Sequence, residues 1–64
     1  MCQSSVFLIK KDGREELVME DVSIIKPQDD QILMVGMLGE RKQIPARIKE
    51  LQLMEHRIIL EEIG

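Results

Sequence analysis

The chain has 64 residues, a net charge of −3 and a single cysteine, and these values exclude several classes of protein. A domain of this size buries only about 60% of its unfolded surface, so its core alone gives marginal stability. One cysteine cannot form a disulfide within the chain, which leaves a metal, a partner or self-association as the expected supplement. The negative charge, with one Phe and no Tyr or Trp, disfavours nucleic-acid binding, because phosphates attract basic residues and bases stack on aromatic ones. No apolar stretch approaches the length of a membrane span and no secretory signal pattern is present, so we predict a cytoplasmic protein with one domain over residues 1–64.

The first apolar segment, residues 3–10, is rich in β-branched and large apolar side chains and predicts a strand. Asp12-Gly13 follows it and is the strongest hairpin signal in the sequence. Residues 14–21 then alternate, with Leu17 and Met19 on one face and mostly acidic residues on the other. This alternation predicts a half-exposed strand that returns beside the first.

Residues 22–26 continue as a further apolar piece, which is either separate or a bulged extension of the preceding strand. Pro27 and the turn residues 28–31 are expected to end it. Residues 32–38 are nearly all apolar and predict a central strand covered on both faces, in which Gly36 marks a bend or a close backbone approach.

The stretch after Gly39 leaves two alternatives open. Residues 41–44 predict a short strand that Pro45 ends. Beyond it, apolar residues recur at helical spacing and a proline suits the first turn of a helix, so a helix over residues 45–56 is one alternative.

The alternative that we favour replaces this helix with two strands. Leu51 and Leu53 would point inward, residues 54–56 would form a turn and residues 57–61 the last strand. Four preceding short strands, with turns at intervals of roughly eight to twelve residues, predict an all-β domain that a terminal hairpin completes. The predicted fold is therefore a small antiparallel β-barrel or sandwich, SH3-like or OB-like, of about six short strands, with an optional helical turn at Pro45.

Cys2 is the candidate metal ligand. Removal of Met1 by a methionine aminopeptidase would place a thiol and an α-amine on the same residue, with reference pKa values of about 8.5 and about 7.7 to 8.0. Both donors can lose a proton to a metal near neutral pH and close a chelate ring. Two chains related by a two-fold axis would supply two sulfurs and two nitrogens, a set suited to square-planar Ni²⁺ or Cu²⁺. The alternative is that Cys2 is a frayed terminal residue or a small buried apolar one.

The other potential ligands have simpler interpretations. His56, the sole imidazole, has no histidine or cysteine at ligand spacing and is expected to be a solvated turn residue, although it is the best non-terminal ligand candidate. Adjacent carboxylates are expected to be surface charges, and methionines to fill the core. These residues are Asp29, Asp30, Glu61, Glu62, Met34, Met37 and Met54. No nucleophile–base pattern or phosphate-binding loop is present, so we predict that the protein is not an enzyme.

These features together resemble the CooT family over the whole chain. The shared features are the Met1-Cys2 start, the strand over residues 2–8, the Lys-Asp-Gly turn at residues 11–13, the acidic strand over residues 15–22, Pro45 and the closing strand over residues 58–62. The resemblance implies a small homodimeric cytoplasmic β-barrel that binds nickel in connection with the maturation of nickel enzymes such as carbon monoxide dehydrogenase. It also implies that Cys2 is the metal-binding residue. The departure lies at His56, where a turn would more comfortably carry Gly or Asn.

The function that follows from this resemblance is that of a metallochaperone-like protein. One Ni²⁺ would be bridged between two chains by Cys2, with a nitrogen from the α-amine or a deprotonated backbone amide. The partners would be a second copy and a nickel enzyme or its maturation factors. The start also resembles that of hydrogenase-maturation chaperones, but these usually carry an early proline and are longer. The alternative from another class is an Sm-like or SH3-like module that binds RNA or a protein without metal.

Overall fold

The computed structural model describes residues 3–64, which form one six-stranded sheet and a single short helical turn. The strands are β1 (Ser4–Ile9), β2 (Glu15–Gln28), β3 (Gln31–Gly36), β4 (Arg41–Ile44), β5 (Ala46–Gln52) and β6 (Arg57–Glu62). A 3₁₀ turn over Leu53–Glu55 separates the last two. The prediction of a small all-β fold of six strands is confirmed.

The sheet is rolled, so that its two edges meet. In the strand order β4-β3-β2-β1-β6-β5, the edge strands β4 and β5 are consecutive in the sequence and only Pro45 separates them. The Pro45 carbonyl accepts the Ile63 N–H at 3.2 Å, and β3 contacts β5 across the interior. The pairing between β1 and β6 is parallel, with Val6 opposite Ile58, and is the one departure from the antiparallel arrangement predicted.

The second strand, β2, is long and bent. Its register against β1 shifts near Asp21, whose φ of 54° lies in the left-handed region, so the bulged-extension alternative for residues 22–26 is confirmed. The bend allows the first half of β2 to pair with β1 and the second half with β3. Pro27 does not end the strand as expected. Pro27 lies opposite Ile32, and the next pair, Gln28 and Gln31, closes the turn. In an antiparallel ladder hydrogen-bonded and non-hydrogen-bonded pairs alternate, so the Pro27–Ile32 pair is of the kind that needs no N–H donor.

The optional helical turn at Pro45 and the longer helix over residues 45–56 are both wrong. Pro45 is a bend, and β5 begins at the next residue because Ala46 pairs with Glu62 of β6. This pairing satisfies the backbone donors and acceptors that a helix would otherwise satisfy internally. The only helical turn in the described residues comes later, between β5 and β6, where the predicted turn over residues 54–56 lies.

The expectation that Leu51 and Leu53 point inward is also wrong. Leu51 is 51% exposed and Leu53 is 73% exposed. The register of β5 against β6 shifts between Ile48 and Glu50, which breaks the strict alternation, and Leu53 has already left the strand for the 3₁₀ turn.

The core is aliphatic, as the composition predicts. Strands β1, β2, β3 and β6 and the start of β5 contribute to it: Val6, Leu8, Met19, Ile32, Met34, Ala46 and Leu60. The predicted coverage of residues 32–38 on both faces is wrong. Buried and half-buried residues alternate along β3, and Leu38 lies beyond the strand, where it is 94% exposed. Gly36 does mark a close approach, because a Cβ at this position would collide with the Glu40 carboxylate.

Candidate metal centre

Cys2, the predicted metal ligand, lies outside the described residues, but the structure defines the part of the sheet that follows it. Gln3 is exposed and its side-chain amide nitrogen lies 3.2 Å from the thioether sulfur of Met37. Ser5 donates its N–H to the carbonyl oxygen of His56 at 2.9 Å. The beginning of β1 is therefore flanked by the β3–β4 turn on one side and the β5–β6 turn on the other.

His56 takes part in this arrangement through its backbone. It adopts the left-handed conformation, with φ 54° and ψ 43°, and its N–H donates to the Leu53 carbonyl at 3.2 Å. The side chain is exposed. Gly or Asn is the usual residue in this conformation, which is the physical basis of the departure noted in the sequence.

The carboxylate pairs are surface charges, as predicted. Glu61 accepts a hydrogen bond from Arg47 Nε at 2.8 Å, and Glu62 accepts the Lys11 N–H at 2.9 Å and lies 3.6 Å from Lys10 Nζ. Residues 29 and 30 form the exposed β2–β3 turn. From Gln3 to the C-terminus no group of three or more His, Cys, Asp or Glu side chains is placed to hold a metal ion.

The methionines divide into two environments. Met34 is fully buried and fills the core as predicted. Met37 is about half exposed beside Gln3, and Met54 is 94% exposed in the 3₁₀ turn, so the prediction of core packing is wrong for these two. Both belong to the turns that flank the beginning of β1.

An open cleft of about 590 Å³ lies beside Gln3, between β2 and the β3–β4 turn. Its charged lining is mixed: Glu20, Asp21, Glu40, Arg41 and Lys42. Three carboxylates and two cations do not form the basic groove that a nucleic-acid backbone requires.

Phe7, the only Phe, Tyr or Trp of the chain, is partly covered. The guanidinium carbon of Arg57 lies 4.4 Å from the centroid of the Phe7 ring, and Arg57 Nη2 lies 2.8 Å from a carboxylate oxygen of Glu15. The guanidinium therefore occupies one face of the ring, which leaves less of it for a base to stack on and argues against the RNA-binding alternative.

Sequence patterns did not predict that Met37 lies beside Gln3 or that the turn before β6 lies beside β1. Both placements depend on pairings between distant segments, and the parallel β1–β6 pair has no local turn signal. The only signal in the sequence was that pairs of apolar residues, at 37–38 and 53–54, stand directly beside the predicted turns at 39–40 and 54–56. No helical segment within residues 3–64 has the length and apolar character needed to cross a bilayer.

A family model for the CO dehydrogenase accessory protein CooT matches residues 1–61 of the chain. An uncharacterized protein from Methanocaldococcus jannaschii is 37% identical over 46 residues, which cover 72% of this chain and 81% of the relative. A second uncharacterized protein, from Methanothermobacter thermautotrophicus, is 33% identical over 61 residues, or 95% of this chain and 89% of the relative. A crystal structure of a protein assigned as CooT, from Carboxydothermus hydrogenoformans, is 40% identical with a TM-score of 0.85, and the match covers 98% of this chain and all of that one.

Proposed function

Because the chain belongs to the CooT family of CO dehydrogenase accessory proteins, we propose that it binds Ni²⁺ and holds or delivers it during the maturation of a nickel enzyme. In this role nickel is the cargo, and the protein does not catalyse a reaction of its own. The match over residues 1–61 shows that the chain is a member of this family of accessory proteins.

The observation that carries the proposal is that the family match begins at residue 1 and therefore includes Cys2. Cys2 is the only thiol in the chain, and a thiolate is the strongest soft donor that a protein offers to a borderline metal such as nickel. Since residues 3–64 contain no competing cluster of His, Asp and Glu, the proposal assigns binding to Cys2.

The donor set that we propose is one sulfur and one nitrogen from each of two chains. The nitrogen is the α-amine of Cys2, if Met1 is removed, or a deprotonated backbone amide next to it. Two such pairs make the four ligands of a square-planar Ni²⁺ complex. Selection of nickel over copper comes from geometry or metal availability, because Cu²⁺ generally binds nitrogen and sulfur donors more tightly.

The beginning of β1 is a suitable place for a site that must both bind and release a metal. The hydrogen bond from Ser5 to His56 anchors the strand, while Gln3 remains exposed. The residue that follows Cys2 is therefore both close to an anchored strand and open to a recipient protein. The exposed thioether of Met37 lies next to Gln3 and adds a polarizable, apolar surface on that side.

The direct test is isothermal titration of the chain and of Cys2→Ser with Ni²⁺, with circular dichroism of both. We expect nickel affinity to fall by at least about a hundredfold in the variant, equal to about 2.7 kcal/mol of binding free energy, while the β-sheet spectrum stays the same. Equal affinity in the two proteins would reject Cys2 as the ligand. An unfolded variant would instead show that Cys2 is structural.

A further inference from the structure

The first half of β2 forms a ladder on one side only. It pairs with β1 from Glu15 to Met19, whereas β3 pairs with β2 only from Val22 onward. Strand β4, at one end of the sheet order, likewise has its ladder partner only in β3. Within residues 3–64, both of these edges therefore keep backbone groups without a ladder partner, and such edges readily accept a further strand.

The backbone groups on the open edge of β2 point toward β4. The Lys10 N–H donates to the Arg14 carbonyl at 2.7 Å, which makes this a hydrogen-bonded pair of the β1–β2 ladder. Because hydrogen-bonded and non-hydrogen-bonded pairs alternate, Leu17 belongs to a pair of the second kind, and its N–H and C=O point away from β1. The carbonyl of the next residue, Val18, accepts a hydrogen bond from Lys42 Nζ of β4 at 3.5 Å.

The open edges of β2 and β4 line the same cleft of about 590 Å³. Residues 18–21 form its β2 side and residues 40–42 its β4 side, with Met37 and Leu38 at the end nearest Gln3. This volume lies within the range of about 300 to 1,000 Å³ that is typical of ligand pockets. A groove bounded by strand edges suits an extended peptide, which binds such an edge by main-chain hydrogen bonds and places alternate side chains in pockets.

The charges of the cleft are separated along its length. The Asp21 carbonyl accepts a hydrogen bond from the β3–β4 turn at 3.0 Å, so Asp21 and the adjacent Glu20 lie at that end of the cleft. The contact of Lys42 with Val18 places the two cations, Arg41 and Lys42, further along β2. A bound segment therefore meets carboxylates at one end and cations beyond them.

We propose that this cleft binds an extended segment of another protein, which adds to the open edge of β2 as an antiparallel strand. The segment carries a basic residue beside Glu20 and Asp21, and an acidic residue beside Arg41 and Lys42. Because β2 runs toward the acidic end, antiparallel addition places the basic residue first. The acidic residue follows it by about two positions, since side chains on one face of a strand are two residues apart.

Lys42 gives the cleft its selectivity. A lysine on an open edge commonly prevents unwanted strand pairing. Its hydrogen bond to Val18 is long, and the side chain is exposed, so an added strand that donates its own N–H to this carbonyl displaces the ammonium. A segment with an acidic residue pairs with the displaced ammonium, whereas a segment with a basic residue there is repelled. The inference goes beyond the proposed function, because no step in it involves nickel.

The first experiment selects binders to the full chain from a random heptapeptide library displayed on phage, with a chelator present. We expect enriched sequences that are rich in β-branched residues and carry a basic residue followed by an acidic one. A labelled peptide of the enriched sequence should bind Lys42→Glu at least about tenfold more weakly than the unaltered chain. The matched control is Lys49→Glu, an exposed cation of β5 outside the cleft, which should change the affinity less than about twofold.

Circular dichroism checks that both variants are folded. The absence of enriched sequences, or equal weakening by Lys42→Glu and Lys49→Glu, would overturn the proposal. Exchanging the acidic residue of the peptide for lysine should improve its binding to Lys42→Glu by at least about tenfold, because the exchange restores an attractive pair. A peptide that shows no such recovery does not lie beside Lys42.

Methylation of the peptide backbone tests strand addition itself. Only alternate N–H groups of an added strand face β2, so N-methylation of one alternating set of residues should weaken binding at least about tenfold more than N-methylation of the other set. Equal losses in the two sets would refute strand addition.

Sedimentation of the chain with and without the peptide identifies the natural occupant of the cleft. We expect the peptide to add its mass without changing the number of chains in the assembly. A peptide that lowers this number would show that a second copy of the chain occupies the cleft, and the assignment to another protein would then be wrong.

Discussion

The Ser5 amide donates to the His56 carbonyl at 2.9 Å and so ties the first strand to the turn that precedes the last one. These residues are far apart in the sequence and meet because β1 and β6 are parallel neighbours. The His56 backbone makes this hydrogen bond, and the imidazole takes no part in it. It also fixes the strand that follows Cys2, which is why the properties of the turn bear on the proposed nickel site.

The conformation of His56 gives the first prediction. A residue other than glycine costs about 1 to 2 kcal/mol in the left-handed region. Glycine removes this strain, but it also loses more conformational entropy on folding, which offsets part of the gain. We expect His56→Gly to raise the free energy of unfolding by about 0.5 kcal/mol and His56→Val to lower it by about 1 kcal/mol or more, because β-branched residues tolerate this region least. Urea denaturation measures both free energies of unfolding. If the His56→Val variant were more stable than His56→Gly, the left-handed conformation of residue 56 would not be what limits its stability.

The Gly36–Glu40 contact gives the second prediction. A methyl group at position 36 would displace the Glu40 carboxylate, which accepts the Leu38 N–H at 3.0 Å. Gly36→Ala and Glu40→Ala should each lower the free energy of unfolding by about 1 kcal/mol, because each breaks the same hydrogen bond. The double variant should cost no more than either single one. Additive losses in a denaturation double-mutant cycle would show that the two residues act independently.

The third prediction concerns the nitrogen donor. If the α-amine of Cys2 binds nickel, a chain that keeps Met1 or carries an N-terminal tag should bind more weakly and show a different ligand-field spectrum. If a backbone amide is the donor, a tag that leaves Cys2 accessible should have a smaller effect. Mass spectrometry of the purified chain establishes whether Met1 is present, and the absorption spectra of tagged and untagged chains then distinguish the two donors.

The fourth prediction is that nickel stabilises the folded protein. A metal that binds the folded dimer but not the unfolded chain adds about 2.7 kcal/mol at a hundredfold excess over its dissociation constant. For a domain of this size each kcal/mol raises the melting temperature by roughly 4 to 8 °C, so saturating nickel should raise it by about ten degrees or more. Lowering the pH should remove this gain, because protons compete with nickel for the thiolate and the nitrogen.

The control for these melts is His56→Ala, which should keep the nickel-dependent gain if the imidazole is not a ligand. Measurements at two protein concentrations and two pH values separate the contribution of the dimer from that of the metal. A melting temperature that does not respond to nickel, in a chain that is monomeric by light scattering, would leave the bridged dimer without support.

Local sequence signals predicted much of this fold, and distant pairings account for the rest. Asp12-Gly13 predicted the first hairpin, and Gly13 has a φ of 92° in the turn. The failure at Pro45 has a physical reason, since a proline suits both a helix start and a strand bend, and only the pairing of Ala46 with Glu62 decides between them. The candidate site followed from Cys2 alone, whereas the placement of Met37 beside Gln3 and of His56 beside Ser5 became evident only from the three-dimensional arrangement.

Absorption titration with Ni²⁺ tests the central claim most directly, because thiolate-to-nickel charge transfer reports on the Cys2 sulfur itself. We predict that the charge-transfer band grows linearly and stops at one Ni²⁺ for two chains, and that Cys2→Ser shows no such band. A titration of the unaltered chain that yields no charge-transfer band would contradict the account.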